Sequence, residues 1–599
     1  MPRSSGRRKK RVFCGNQYRA RPTAAEDSAK PKPNERARPT MDKEACSSAK
    51  KLKIDRNSTD FNDDSYYILI DYKILRTIIE RIAKCPLCNS KVGIKNDIGS
   101  KQGFSCKLTL KCISCEWSDE VFTSSAAEKS KESPGRAPFD INLRMVYAFR
   151  EIGRGHKAIT KLTTFVNMPP PMSKTSYNKI NSQLHKAYTS VSRKCMENAG
   201  KEVHEILQQS DEITDCQVSL DGTWQKRGYS SLNGAVTLLS SETGKCLDFQ
   251  VMSKKCKGCE VWSKRTNHPK YEEWKAAHIC KVNHKKSSGA MEGAGAVAIF
   301  KRSIDLHSLR YTEYVGDGDS SSFPEVVDAK PYGDGVVIKK KECIGHVQKR
   351  VGSRCRTLRQ SLKGTKLADG KGIKGKGRLT DKAINTLQNY YGMAIRQNTQ
   401  HLYGMKKAIG AVLHHCSDIP DESLRHRFRP VTEDSWCKWQ SDKINGKSQY
   451  KKKVNLPLAI KEVLLPIFKD LSDDELLSKC LHGLTQNANE AINHIIWKKC
   501  PKNIYVSRDV LEIAVSSAVI DFNDGQTGLC KVAEEIGLNC GKFMIDGAIK
   551  ADNERINNIT RKSSEIEKKR RKKSRAIREG YDDKEKEAEG GDSYAAGQF

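Results

Sequence analysis

The 599-residue chain carries 107 Lys and Arg against 72 Asp and Glu, a formal net charge of +35 that calls for a polyanionic partner, nucleic acid ahead of an acidic membrane surface. No apolar run approaches the roughly 18 residues needed to span a bilayer, and the basic start Met1–Arg11 has no apolar stretch behind it, so neither a membrane protein nor a secreted one is expected. In the reducing compartment this implies, the 21 cysteines, an odd number, point to metal-holding thiolates rather than to disulfides.

Residues 1–63 are rich in Lys, Arg, Pro and Ser and poor in large apolar side chains, so they are expected to be disordered. Order should begin at the apolar-rich stretch Tyr66–Ile82. Two close cysteine pairs follow, Cys85-Pro-Leu-Cys88 and Cys112-Ile-Ser-Cys115, around an alternating segment (Phe104, Leu108, Leu110) that predicts a β-hairpin. A CxxC pair sits on one tight turn and bites a single ion. CxxC-x23-CxxC therefore predicts a zinc ribbon over residues 64–125, with Zn2+ on Cys85, Cys88, Cys112 and Cys115 and Cys106 as a spare thiol. Residues 139–210 show helical periodicity, interrupted at Gly153-Arg-Gly155 and at Met168-Pro-Pro-Pro-Met172. That pattern fits a helix-turn-helix DNA-binding region or a plain helical linker.

Residues 211–525 read as one domain with a different texture. Val218–Leu220 predicts a strand running into Asp221-Gly-Thr-Trp224, and Asn233–Leu239 and Leu247–Ser253 flank a Ser-Glu-Thr-Gly turn as a hairpin. After a Cys/His-rich insertion, Gly289–Ser303 predicts a helix, Tyr311–Gly316 a strand ending at Asp317, and Gly335–Lys341 another strand. Strand, hairpin, helix, strand, helix, strand is the order of an RNase H-like α/β core, a mixed sheet flanked by helices. A Gly/Lys-rich loop at 363–378 and a mainly helical insertion from residue 380 onward follow. Residues 540–599 are a basic tail, expected to be mostly disordered, in which positions 561–575 hold nine basic residues against two acidic ones.

Three carboxylates stand out. Asp221 and Asp317 close apolar strands that would lie side by side, and Glu490 opens the helix in Asn487-Ala-Asn-Glu-Ala-Ile-Asn493. Alone, each is an ordinary cap or turn acid. Together, on that strand order, they predict a site for Mg2+ (or Mn2+), a hard ion that takes carboxylate oxygens. Two such ions roughly 3.5–4 Å apart support in-line displacement at phosphorus. Asp319 is the rival for the second position, two residues past the strand end.

The most specific stretches are Leu220-Asp-Gly-Thr-Trp224, Lys285-Lys-Ser-Ser-Gly-Ala-Met-Glu-Gly293, Gly316-Asp-Gly-Asp-Ser320 and Asn487–Asn493. Through them the chain, from the Cys85 region to about Gly525, closely resembles the Mutator-like transposases of arthropod genomes, within the wider class of DDE transposases. The resemblance implies that Asp221, Asp317 and Glu490 are the catalytic triad of an enzyme that cuts transposon ends and joins the 3′-hydroxyl to target DNA. It also implies that His346, in Cys343-Ile-Gly-His346, lies by the active site; the spacing alone reads as structural. Double-stranded DNA, a homo-oligomeric state and a nuclear location are the matching expectations. A decayed or domesticated copy that binds DNA without cutting it is the alternative. A zinc-dependent transcription factor is a third reading, against which the acid triad and its strand order argue.

A second zinc site is expected in the insertion, on Cys256, Cys259, Cys280 and His284, with His278 as the alternative fourth ligand. A third group, His414, His415, Cys416, His426 and Cys437, is not assigned a metal, because similar sequences tend to carry a Cys where this chain has Arg429. Phosphate contacts are expected from Arg7–Arg11, from Lys371, Lys374, Lys376 and Arg378 in the Gly/Lys loop, and from Lys568–Lys573. Trp224, Trp436 and Trp439 are core residues first and base-stacking platforms second.

Overall fold

A computed structural model describes Leu52 and residues 66–128, 137–208, 212–226, 230–317, 321–426, 438–446, 455–564 and most of 566–577. The expected disorder of residues 1–63, the Arg7–Arg11 cluster, Asp319, Arg429, Trp436 and Cys437 lie outside the described residues.

After the helix Tyr72–Ile82 comes a three-stranded antiparallel sheet, β1 (Val92–Gln102), β2 (Ser105–Cys112) and β3 (Ser118–Phe122), in that order. The hairpin expected around Phe104 to Leu110 is its β1–β2 turn, closed by Gln102 opposite Ser105 with Gly103 at φ +68°. That left-handed corner favours glycine because a Cβ there is strained. Asn142 fastens the turn to the helix Asp140–Glu151, accepting from the Phe104 amide at 2.8 Å and donating to the Gln102 carbonyl at 2.9 Å.

The larger sheet has five strands, β4 (Thr214–Trp224), β5 (Asn233–Ser240), β6 (Cys246–Ser253), β7 (Leu309–Gly316) and β8 (Lys339–Glu342), in the order β6-β5-β4-β7-β8. β4, β5 and β6 are antiparallel neighbours, whereas β7 runs parallel to β4 and β8 parallel to β7. All eight residues of β5 are buried, and its side chains alternate between two cores. Val236 and Leu238 join Val218, Leu220, Ala296, Phe300 and Tyr314 on one face. Ala235 and Leu239 join Ile492, Ile496, Leu511 and Val515 on the other. The first face is covered by the helix Ala290–Lys301, brought close by Gly295, where a Cβ would stand 2.6 Å from Val236 Cγ2. The second is covered by the helices Asn487–Lys499 and Arg508–Asp524.

The helical stretch expected at 139–210 forms three helices, Asp140–Glu151, His156–Phe165 and the 34-residue Lys174–Leu207, with the proline run Pro169–Pro171 between the last two. The long helix spends its apolar face (Tyr177, Ile180, Leu184, Tyr188, Val191) on Ile513, Ile520, Leu529 and Val532, residues more than 300 positions away. Between β8 and the Asn487 helix, the expected helical insertion builds its own core from Val347, Ile384, Leu387, Tyr391, Ile409, Val412 and Leu464.

Candidate active site

Asp221 lies on β4 opposite Thr237 of β5. On its other side, the parallel register pairs Ser219 with Val315. Continued two residues past its last pair, that register would bring Asp221 level with Asp317, which directly follows β7. His346, in the first turn of the helix Ile344–Ser361, places Nδ1 3.0 Å from Asp317 Oδ2. Glu490 occupies the first turn of Asn487–Lys499.

That last helix is seated on β4 by a stripe of polar side chains spaced three and four residues apart, hence on one helix face. Gln486 Nε2 donates to the Leu220 carbonyl at 2.7 Å, and Asn489 Oδ1 accepts from Ser219 Oγ at 2.7 Å. Asn493 Nδ2 donates to Asp221 Oδ2 at 2.7 Å, and Trp497 Nε1 donates to Thr223 Oγ1 at 2.7 Å. Sequence reasoning found Glu490 but not this stripe. Its signal was present, as Gln486, Asn489 and Asn493 are amides at helical spacing around the acid.

The electrostatics tie the group together. The Asp221 carboxyl is pushed up to about 7, by burial first and then by Glu292, with Glu490 and Asp317 adding and His346 opposing. The His346 imidazole is raised, chiefly by its hydrogen bond with Asp317. Asp221, Asp317 and Glu490 do not form a single tight bite: among the described residues, the groups with every ligand atom within 4.8 Å of the others lie elsewhere. Glu292, given no role above, is the strongest charged neighbour of Asp221.

Two cysteine-rich groups do have that compactness and could hold a metal ion, Cys85/Cys88/Cys112/Cys115 and Cys256/Cys259/His278/Cys280. In the ribbon, Cys85 and Cys115 sulfurs stand 3.6 Å apart and Cys88 and Cys112 sulfurs 3.4 Å apart. Hydrogen bonds from the Ser90 hydroxyl and amide lower the Cys88 thiol, while Cys115 of the same group is raised. In the insertion, His278 Nε2 lies 3.3 Å from Cys256 Sγ and 3.2 Å from Cys259 Sγ, with Cys280 Sγ 3.6 Å from Cys259 Sγ. The expected fourth member, His284, is corrected to His278. The His284 ring is buried and bonded through Nε2 to the Ser287 carbonyl at 2.8 Å, while His278 is fixed by stacking on Trp274, ring centres 4.4 Å apart.

A sequence model of the Mutator-like transposase family matches residues 69–437. The chain belongs to that family. The match includes Asp221, Asp317 and His346 and ends before the helix that carries Glu490. No curated protein matches the chain.

Membership of the Mutator-like transposases implies DNA binding, and no helix among the described residues is long and apolar enough to cross a membrane. Of the four basic residues expected to meet phosphate in the Gly/Lys loop, Lys371, Lys374 and Lys376 are exposed. Arg378 is corrected: it is buried, paired with Asp369, and donates to the Lys371 carbonyl, so it staples the loop shut. Of the described basic residues within Lys568–Lys573, Lys568, Lys569, Arg570, Arg571 and Lys573 are all exposed. Trp224 donates to the Ser288 carbonyl at 2.8 Å, and Trp439 stacks on His426 with ring centres 4.5 Å apart. A third compact group, His185, Asp509 and Glu512, is an ion-pair network with Arg508 and Lys281 that sequence reading did not single out.

Proposed function

We propose that this Mutator-like transposase is a DDE enzyme on an RNase H-like core, cutting transposon ends and joining their 3′-hydroxyls to target DNA. The observation that carries this is the convergence of Asp221, Asp317 and Glu490, three acids from distant parts of the chain, where β4 passes the end of β7. The strand order supports the core: a three-stranded antiparallel meander, then two strands added in parallel beside its first, with a helix between β6 and β7.

The residues present fit divalent cations. Half-buried Asp221 stands among other acids, a costly arrangement that a cation offsets. Asn493, which donates to Asp221, keeps its Oδ1 buried without a hydrogen-bond partner. Asp221, Asp317 and Glu490 would hold Mg2+ or Mn2+, which would activate the attacking oxygen and stabilise the leaving one. His346 orients the Asp317 carboxylate. The two cysteine groups would take structural Zn2+, since four thiolates at about 2.3 Å from one ion stand about 3.8 Å apart, near the 3.4–3.6 Å of the ribbon. The exposed loop and tail lysines would supply phosphate contacts. A nuclear location and a homo-oligomeric state complete the reading.

The test is Mg2+-dependent nicking of supercoiled plasmid by the full chain. Nicking by the wild type and none by Asp221→Asn supports the proposal. Binding without nicking at any Mg2+ or Mn2+ concentration favours a DNA-binding protein that has lost cleavage.

A further inference from the structure

We propose that Glu292 is a fourth carboxylate of the active site and a ligand of a divalent cation beside Asp221, an inference that rests on the triad reading above. Glu292 stands in the first turn of the helix Ala290–Lys301, which covers the opposite face of the sheet from the helix bearing Glu490. The cation would thus be held from both faces.

Three observations point to this. The first is space kept open for the carboxylate. A Cβ on residue 222 would stand 2.8 Å from Glu292 Oε2 and 2.8 Å from its Cγ, so Gly222, next to Asp221, lets Glu292 lie against the strand. The second is a relay that aims it. The buried Tyr314 hydroxyl meets Ser322 Oγ at 2.6 Å, and Ser322 Oγ donates to Glu292 Oε1 at 3.1 Å. Outer hydrogen bonds of this kind orient metal-binding carboxylates.

The third is independent of the acids. Asn493 is 8% exposed and hydrogen-bonded through Nδ2 to Asp221, yet its Oδ1 is buried and unpartnered. A buried carbonyl left without a donor is unfavourable. A water of a cation's hydration shell is a donor of the right kind, because Mg2+ keeps several waters when bound by few carboxylates. Holding half-buried Glu292 beside half-buried Asp221 is likewise unfavourable unless a cation shares them.

The experiment titrates Mn2+ into the zinc-loaded full chain by calorimetry and measures the Mg2+ concentration for half-maximal nicking, in wild type, Glu292→Gln and Asp221→Asn. Glu292→Gln should weaken Mn2+ binding about tenfold or more and raise the half-saturating Mg2+ concentration in step, with DNA affinity unchanged. Ser322→Ala, which removes the aiming hydrogen bond along with the Tyr314 contact but leaves the carboxylate, should shift both readouts the same way by less, and serves if Glu292→Gln does not fold. Unchanged Mn2+ binding and Mg2+ dependence in Glu292→Gln, or a lower melting temperature as its sole effect, overturns the proposal. If Glu292→Gln weakens Mn2+ binding but Asp221→Asn does not, Glu292 remains a ligand and the triad reading is what fails.

Discussion

The ribbon's thiol group and the carboxylate site are built in opposite ways. Cys85, Cys88, Cys112 and Cys115 come from two turns of one small antiparallel sheet, the first pair just before β1 and the second at the end of β2. Local hairpin pairing alone brings them together. The acids come from β4, the end of β7 and two helices on opposite faces of the sheet, spread over 270 residues between Asp221 and Glu490. No short segment could assemble them, and packing holds them against their mutual repulsion. The ribbon should therefore depend on its metal for folding, whereas the acid site should fold without its metal and need it for chemistry.

The largest expected effect breaks the second half of that contrast if it fails. Asp221→Asn, Asp317→Asn and Glu490→Gln should each lower nicking by at least about 10^3-fold while leaving DNA affinity and, in saturating Mg2+, the melting temperature near wild type. Plasmid nicking with parallel binding and thermal scans checks it. Any of the three variants that nicks well leaves the triad.

Next comes the ribbon. Structural zinc contributes about 10–16 kcal/mol in small zinc domains, so Cys112→Ser should cost the full chain one zinc and unfold residues 85–122 without unfolding the larger sheet. Zinc analysis and hydrogen exchange report it. In the insertion, His278→Ala should lose the second zinc and His284→Ala should keep it. The reverse result would reassign the ligand.

A pH experiment sharpens the contrast at the acids. In the metal-free chain the Asp221 carboxyl is pushed up to about 7, by burial ahead of Glu292. Its folded pKa lies above the unfolded value of about 3.9, so the folded state holds the extra proton and stability falls as pH rises from about 4 to about 7. Asp221→Asn removes that term. Its stability relative to wild type should grow by as much as roughly 1.4 kcal/mol per pH unit across the window, and saturating Mg2+ should cancel the difference. A pH-independent difference would mean that Asp221 is ionised throughout.

The smallest effect separates surface charge from buried charge. Lys374→Ala and Lys376→Ala should each reduce the salt slope of DNA binding by about one, whereas Arg378→Ala should destabilise the loop and leave that slope alone. Affinity measured over a salt series, beside thermal scans, distinguishes them.

Much of this was legible from residues alone. The strands leading to Asp221 and Asp317, the hairpin around Ser-Glu-Thr-Gly, the ribbon spacing and the helical insertion follow from apolar periodicity and short-range spacing, although Asp221 lies within its strand, which runs on to Trp224, rather than at its end. His278 and His284 were less distinct, because both fall within reach of Cys280 along the chain, and it is the Trp274 stack on one and the Ser287 carbonyl on the other that select between them. Arg378 looked like its lysine neighbours until Asp369 folded over it. Glu292 and the stripe of Gln486, Asn489, Asn493 and Trp497 were visible letters without a partner. What they face is set by which helix covers which side of the sheet. By itself the sequence determined most of the elements, the family and the metal-binding spacings, for these are written in local pattern; it missed the helix Lys542–Ser563, in a tail expected to be mostly disordered. Only the tertiary structure decided which groups share one dielectric environment, because burial and charge coupling depend on distance in space.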